Sequence, residues 1–187
     1  MKVLRASDYK RMPWKNGGGE TVEITVFPPN ASVSDFDWRI SMATVASDGP
    51  FSIFPGIDRT LSILDGNGMS LAIDGAAPVL LTRHSQPRSF AADVAVDATL
   101  PEGTITDLNV MTRRESFTHQ VERASGSFSV SKQSDTETII VLATGSVPMK
   151  SSQDSVVLEA LDAVWIDDTI AIEARNIVCY VIRVNPL

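Results

Sequence analysis

The sequence predicts an all-β protein, a sandwich or barrel with little helix, and two observations carry this. Apolar and polar residues alternate with period two through much of the chain. The alternating runs are short and are separated by clusters of Gly, Pro, Asn and Asp, the punctuation of many brief strands joined by close turns. In chain order, strands are predicted at 21–26, 36–42, 60–64, 69–73, 105–111, 138–142, 155–158, 163–166 and 177–184. Ser7 is placed to cap a short helical turn through residues 9–12 before Pro13, the best helix candidate in the chain. Leu64-Asp65-Gly66-Asn67-Gly68 between two apolar runs predicts a tight hairpin, because Asp-Gly and Asn-Gly supply positive φ. The pattern of 60–81 returns in 138–158, which suggests a degenerate internal repeat, and the Ser-rich stretch 125–134 joins the halves or forms a strand of its own.

Bulk properties narrow the function classes. The 187 residues suit one compact unit, with 43% hydrophobic and 21% charged residues, enough apolar content for a real core. Sixteen basic against 23 acidic residues leave a formal charge of -7, with no basic run to hold a phosphate backbone, so nucleic acid is a poor partner. No apolar stretch has the length of a signal peptide or a membrane span, and a cytoplasmic location is expected. Cys179, alone in the apolar run IVCYVIRV, reads as strand packing.

The chemistry-bearing patterns are polar rows rather than catalytic motifs. His84 and His119 lie far apart and outside any H-x-H pair, so no conventional metal site is expected, and no cofactor-binding or nucleophile motif is present. In Trp14-Lys15-Asn16-Gly17-Gly18-Gly19, the glycines allow a close backbone approach that could point N–H groups at an anion, or they form a plain turn. Alternation puts Phe36, Trp38, Ile40 and Met42 on one face, and Asp37, Arg39 and Ser41 on the other, which is either solvated or lines a barrel interior. The strand through residue 113 likewise separates Asp107, Asn109, Met111 and Arg113 from Leu108 and Val110. The aromatic, turn-rich segment 49–57 delivers Asp58 and Arg59 to a strand start, where they could be an exposed pair of little energetic value.

Four segments in order, W-K-N-G-G-G-E-T-V-E-I (14–24), F-D-W-R-I-S-M-A (36–43), G-P-F-S-I-F-P-G-I-D-R-T-L (49–61) and D-L-N-V-M-T-R-R (107–114), resemble the HutD/Ves family. The resemblance covers the first two-thirds of the chain. It implies a bacterial protein with a double-cupin, RmlC-like jelly-roll fold, two β-barrels packed as one unit with approximate halves 1–120 and 121–187. It also implies an association with histidine utilisation in a regulatory or ligand-sensing role. On this reading Trp14, Lys15, Asn16, Gly17, Gly18, Glu23, Arg39, Ser41, Asp58, Arg59, Asp107, Asn109 and Arg113 meet around one pocket. Arginine forks pair with carboxylates, so the expected partner is a small anionic metabolite such as N-formylglutamate or urocanate, without metal or cofactor. The alternative is a metal-independent enzyme of the same pathway using Glu20, Glu23 or Asp107 as acid or base. Cupins pair through strand edges or barrel faces, and a homodimer is the expected assembly.

Overall fold

Nearly all the regular structure is antiparallel β, as period-two alternation requires. The computed structural model describes every residue except Asn16. Its strands begin with β1 (Lys2–Leu4), β2 (Lys10–Pro13), β3 (Gly19–Phe27), β4 (Trp38–Val45), β5 (Gly49–Pro50), β6 (Ile57–Asp65) and β7 (Met69–Ile73). They continue with β8 (Val79–Leu81), β9 (Arg88–Ala91), β10 (Val96–Thr99), β11 (Ile105–Arg113), β12 (Phe117–Ala124) and β13 (Ser127–Val130). The last are β14 (Thr138–Ala143), β15 (Val147–Ser151), β16 (Ser155–Leu158), β17 (Ala163–Ile166), β18 (Ile170–Glu173) and β19 (Cys179–Pro186). Among the described residues no helix is long and apolar enough to cross a membrane.

The chain divides into two units, residues 10–118 and a second made of residues 1–9 with 119–187. The first holds a six-stranded sheet, β2-β3-β4-β11-β6-β9, and a four-stranded sheet, β5-β10-β7-β8. Ala43, Leu61, Ile63 and Ile105 from the larger sheet share one apolar cluster with Met69, Leu71, Val96 and Ala98 from the smaller. The second unit repeats the plan with β1-β17-β14-β19-β12 and β13-β18-β15-β16. There Ile139, Val141, Val164 and Val181 share a cluster with Val147, Met149, Ile170 and Ile172. Adding eight to each strand number turns β4-β11-β6-β9 into β12-β19-β14-β17, and β5-β10-β7-β8 into β13-β18-β15-β16. The repeat in the sequence is therefore a repeat of topology.

Three expectations are corrected. The sheets are open rather than closed barrels: closure would need a ladder from β5 or β8 to an edge of the larger sheet, and none is present among the described residues. The Gly66–Gly68 turn joins no hairpin, because β6 and β7 lie in different sheets. It carries the chain across the sandwich, with φ of 90° at Gly66 and 114° at Gly68, where an added Cβ would lie 2.6 Å from the Thr104 and Leu81 carbonyls respectively. The N-terminal helical turn is a 3-10 turn at Ala6–Asp8 preceded by Arg5, with no side-chain cap. Residues 10–13 instead extend as β2 against Glu20–Glu23 of β3, a pairing that local propensity does not encode.

Candidate functional site

The inner face of the six-stranded sheet is polar at one end, and register explains which side chains meet there. Asn109 lies opposite Ser41 and Met111 opposite Arg39 across β11–β4, while Met111 also lies opposite Arg59 across β11–β6. Because side chains alternate across a strand, Arg39, Ser41, Arg59, Asp107 and Asn109 all point to one side. The opposite face of β4 and β11 carries buried apolar residues, Trp38, Ile40, Met42, Leu108 and Val110. The polar row borders a cavity of about 800 Å³ within the first unit. Met12, Pro13, Trp14, Val33, Phe51 and Phe54 supply apolar wall, and Lys15 joins the lining.

The β2–β3 turn places the tryptophan. Trp14 donates its indole N–H to Thr21 Oγ1 at 2.9 Å, and its backbone N–H to the Gly19 carbonyl. Gly19 has no room for a side chain, since a Cβ would stand 2.0 Å from the Thr44 carbonyl and 3.1 Å from the Trp14 ring. Gly17, at φ 72°, uses its N–H on the Trp14 carbonyl. The glycines thus seat Trp14, and Gly17 and Gly18 are not part of the lining.

The two inner arginines have opposite environments. Arg39 Nε donates to Glu23 Oε2 at 2.7 Å, both side chains largely buried. The register shift between Glu23 and Thr25 is a bulge that keeps Glu23 opposite Ser41. Arg59 is 6% exposed, and its Nε has no hydrogen-bond partner among the described residues. Phe51, Phe54 and Phe90 surround its guanidinium, with ring centroids 5.3, 5.2 and 5.9 Å from Cζ. Among the described residues its Nη2 reaches only the Met111 sulfur, at 3.8 Å. Burial pulls the Arg59 pKa down to about 10, with the Asp107 charge raising it and the Arg39 charge lowering it.

Asp107 is the counterpart. It is 1% exposed, and its Oδ1 accepts a hydrogen bond from Asn109 Nδ2. Burial pushes its carboxyl up to about 7, against the lowering pull of Arg59, the Ala43 backbone and Asn109. A carboxyl there can hold or release a proton near neutrality, while Arg59 offers a desolvated cation with an unused donor.

Asp58 and Arg113, expected at the same pocket, lie outside it. Asp58 directly precedes Arg59 on β6 and so points to the other side, where it accepts from Arg114 Nε at 2.8 Å. Arg114 also clamps Asp93, whose carboxyl it holds below the usual range. Arg113 ends β11, one pleat beyond Met111, and donates to Asp37 and to the Phe36 carbonyl. Glu23 reaches the cavity only through Arg39, and Asn16 lies outside the described residues. Phe51, Phe54 and Phe90 were missed as a cage: the first two lie in a turn-rich stretch without periodicity, and Phe90 comes from β9, about thirty residues after Arg59. Cys179 is fully buried in the second unit's core, and burial raises its thiol to about 11. Among the described residues no cluster of His, Cys, Asp and Glu could hold a metal ion.

The HutD family model matches residues 6–178. The chain belongs to the HutD family. Protein Ves of Citrobacter koseri is 45% identical over 125 residues, which are 65% of this chain and 64% of that protein. A 21.2 kDa protein in the hutC 3′ region of Pseudomonas putida is 40% identical over 59% of this chain and 57% of its own length. These two matches thus span somewhat less than two-thirds of each relative. HutD of Pseudomonas fluorescens, solved in a formate condition, superposes with a TM-score of 0.86 at 29% identity, covering 100% of this chain and 98% of that one. A cupin 2 conserved barrel domain protein of Leptotrichia buccalis, at 8% identity, shares the fold with a TM-score of 0.56 over 89% of this chain and 88% of its own. The HutD fold is thus cupin-like.

Proposed function

We propose that the cavity of the first unit binds a small carboxylate metabolite without metal, and that this HutD protein serves histidine utilisation as a binding or regulatory component. The observation that carries this reading is Arg59: a buried guanidinium of the cavity wall, caged by aromatic rings, with no ion pair and an unpartnered, buried Nε among the described residues. A buried cation is costly unless something satisfies it, and a carboxylate supplies both the charge and the acceptor. Ser41 and Asn109 add polar groups beside it, and Trp14 offers a face for a planar ligand. The Pseudomonas putida relative of the hutC 3′ region supports the pathway assignment and makes N-formylglutamate and urocanate the first acids to try. The eight-strand topological repeat supports a double-cupin derivation for the whole chain.

Thermal-shift titration tests the reading. At a hundredfold excess over Kd, a ligand bound only by the native state stabilises by about 2.7 kcal/mol, which raises Tm by about 5–10 °C in a chain of this length. Absence of any shift with either acid, at millimolar concentration, counts against the reading.

A second reading rests on Asp107, whose near-neutral pKa suits general acid–base work on the bound molecule. Incubation with the same acids, followed by mass, decides it: turnover by the native protein that vanishes in Asp107→Asn would make the cavity an active site.

A further inference from the structure

This inference rests on the carboxylate-binding reading and concerns how the cavity balances its charge. Arg39 is already compensated by Glu23 at 2.7 Å. Arg59 has no such partner among the described residues, and the anionic group offsetting it through space is Asp107, on the same inner face and in the wall of the same cavity. With Asp107 ionised, the two together are neutral, and an arriving anion would share a desolvated cavity with a second negative charge. With Asp107 protonated, the Arg59 cation is free to attract the anion. Two negative groups cannot both be accommodated cheaply at one buried cation.

We propose that anion binding at Arg59 is coupled to the uptake of one solvent proton by the Asp107 carboxylate, so that the cavity takes in an acid as anion plus proton. The groups around Asp107 leave this role to it. β4 contributes Arg39 and Ser41, β6 contributes Arg59, β11 contributes Asn109, and the β2–β3 turn contributes Lys15. Glu23 of β3 is engaged by Arg39. The facing sheet presents apolar Met69, Leu71, Val96 and Ala98, and no histidine lines the cavity. The position of the Asp107 carboxyl near 7 sets the range in which the coupling is seen.

Isothermal titration of the full chain with N-formylglutamate, whose carboxylates stay ionised throughout, is run at pH 6, 7 and 8 in buffers of different ionisation heat. Coupling to one group near 7 weakens Kd about tenfold between pH 6 and pH 8, with close to one proton taken up per ligand at pH 8. In Asp107→Asn the affinity is flat with pH, close to the native value at pH 6, and no proton is taken up. Equal Kd values at pH 6 and 8 with no proton uptake overturn the coupling while leaving carboxylate binding intact. A pH dependence that persists in Asp107→Asn overturns it too, by assigning the proton elsewhere. No binding at any pH removes both this inference and the reading beneath it.

Discussion

Arg59 holds its charge inside an aromatic cage with no carboxylate in contact among the described residues, so its value to folding and to binding should separate. Replacing a buried unpaired cation by an apolar side chain of similar size is neutral or stabilising, whereas losing a charged hydrogen-bond donor costs about 1.5–3 kcal/mol of interaction. At pH 6, where Asp107 is protonated and needs no counter-charge, Arg59→Met is therefore expected to keep or raise the Tm of the free protein while weakening carboxylate binding about tenfold to hundredfold, read by thermal shift with and without ligand. Asp107 gives a second prediction, in pH. Its folded pKa of about 7 lies above the ordinary value of 3.8. The native state therefore binds more protons than the unfolded one in that window. The stability this group contributes is complete below about 4 and is lost as pH rises through about 7. Asp107→Asn removes that titration, so the variant should gain on the native protein as pH goes from 4 to 8, measured by urea unfolding at each pH. A gap that stays constant with pH would contradict the assignment.

The β2–β3 hairpin shows how an element serves the site. Gly19 lets the Thr44 carbonyl and the Trp14 ring approach where a Cβ would collide with both. Gly19→Ala is expected to cost about 1–3 kcal/mol through overpacking and to shift Trp14 fluorescence, while Gly17→Ala, which meets no neighbour but sits at φ 72°, carries only the smaller penalty of its backbone conformation. The alternation in β3, β4, β6 and β11 was readable in the sequence because period two is imposed by the pleat itself. The inward polar row of Arg39, Ser41, Asp107 and Asn109 was readable for the same reason. The outward turn of Asp58 was readable in the same way, since it directly precedes the inward Arg59, whereas the fate of Arg113 was not, because the Asp37 partner that draws it away is set by tertiary pairing rather than by local pattern. The short strands β1, β2, β5, β9, β10, β15 and β18 escaped prediction because strands of two to five residues take their stability from neighbours, and the eight-residue β12 escaped it as well.

At the scale of the whole molecule, the topological repeat does not repeat the chemistry. Aligning Thr60 with Thr138 sets Arg59 against Glu137, and register sets Asp107 against Val181 and Asn109 against Arg183. Arg183 pairs with Glu137 at 3.0 Å, and Val181 joins the apolar core. The second unit therefore has an acid, Glu137, paired with Arg183, where the first has the caged cation, and an apolar residue where the first has Asp107, so titration should saturate at one ligand per chain. That unit is tied instead at its N-terminal end, where Asp162 accepts from Arg5 at 2.6 Å and from the Ala6 and Glu159 N–H groups. Removing those bonds in Asp162→Ala is expected to cost about 3 kcal/mol, a fall in Tm of about 6–12 °C, without changing the ligand-induced shift. The most direct test of the carboxylate site is a crystal structure of the protein grown with N-formylglutamate. The account predicts a carboxylate oxygen within hydrogen-bond distance of the Arg59 guanidinium, beside Asn109 and beneath Trp14. An acid bound elsewhere on the molecule, with the Arg59 guanidinium left without an anion, would contradict it.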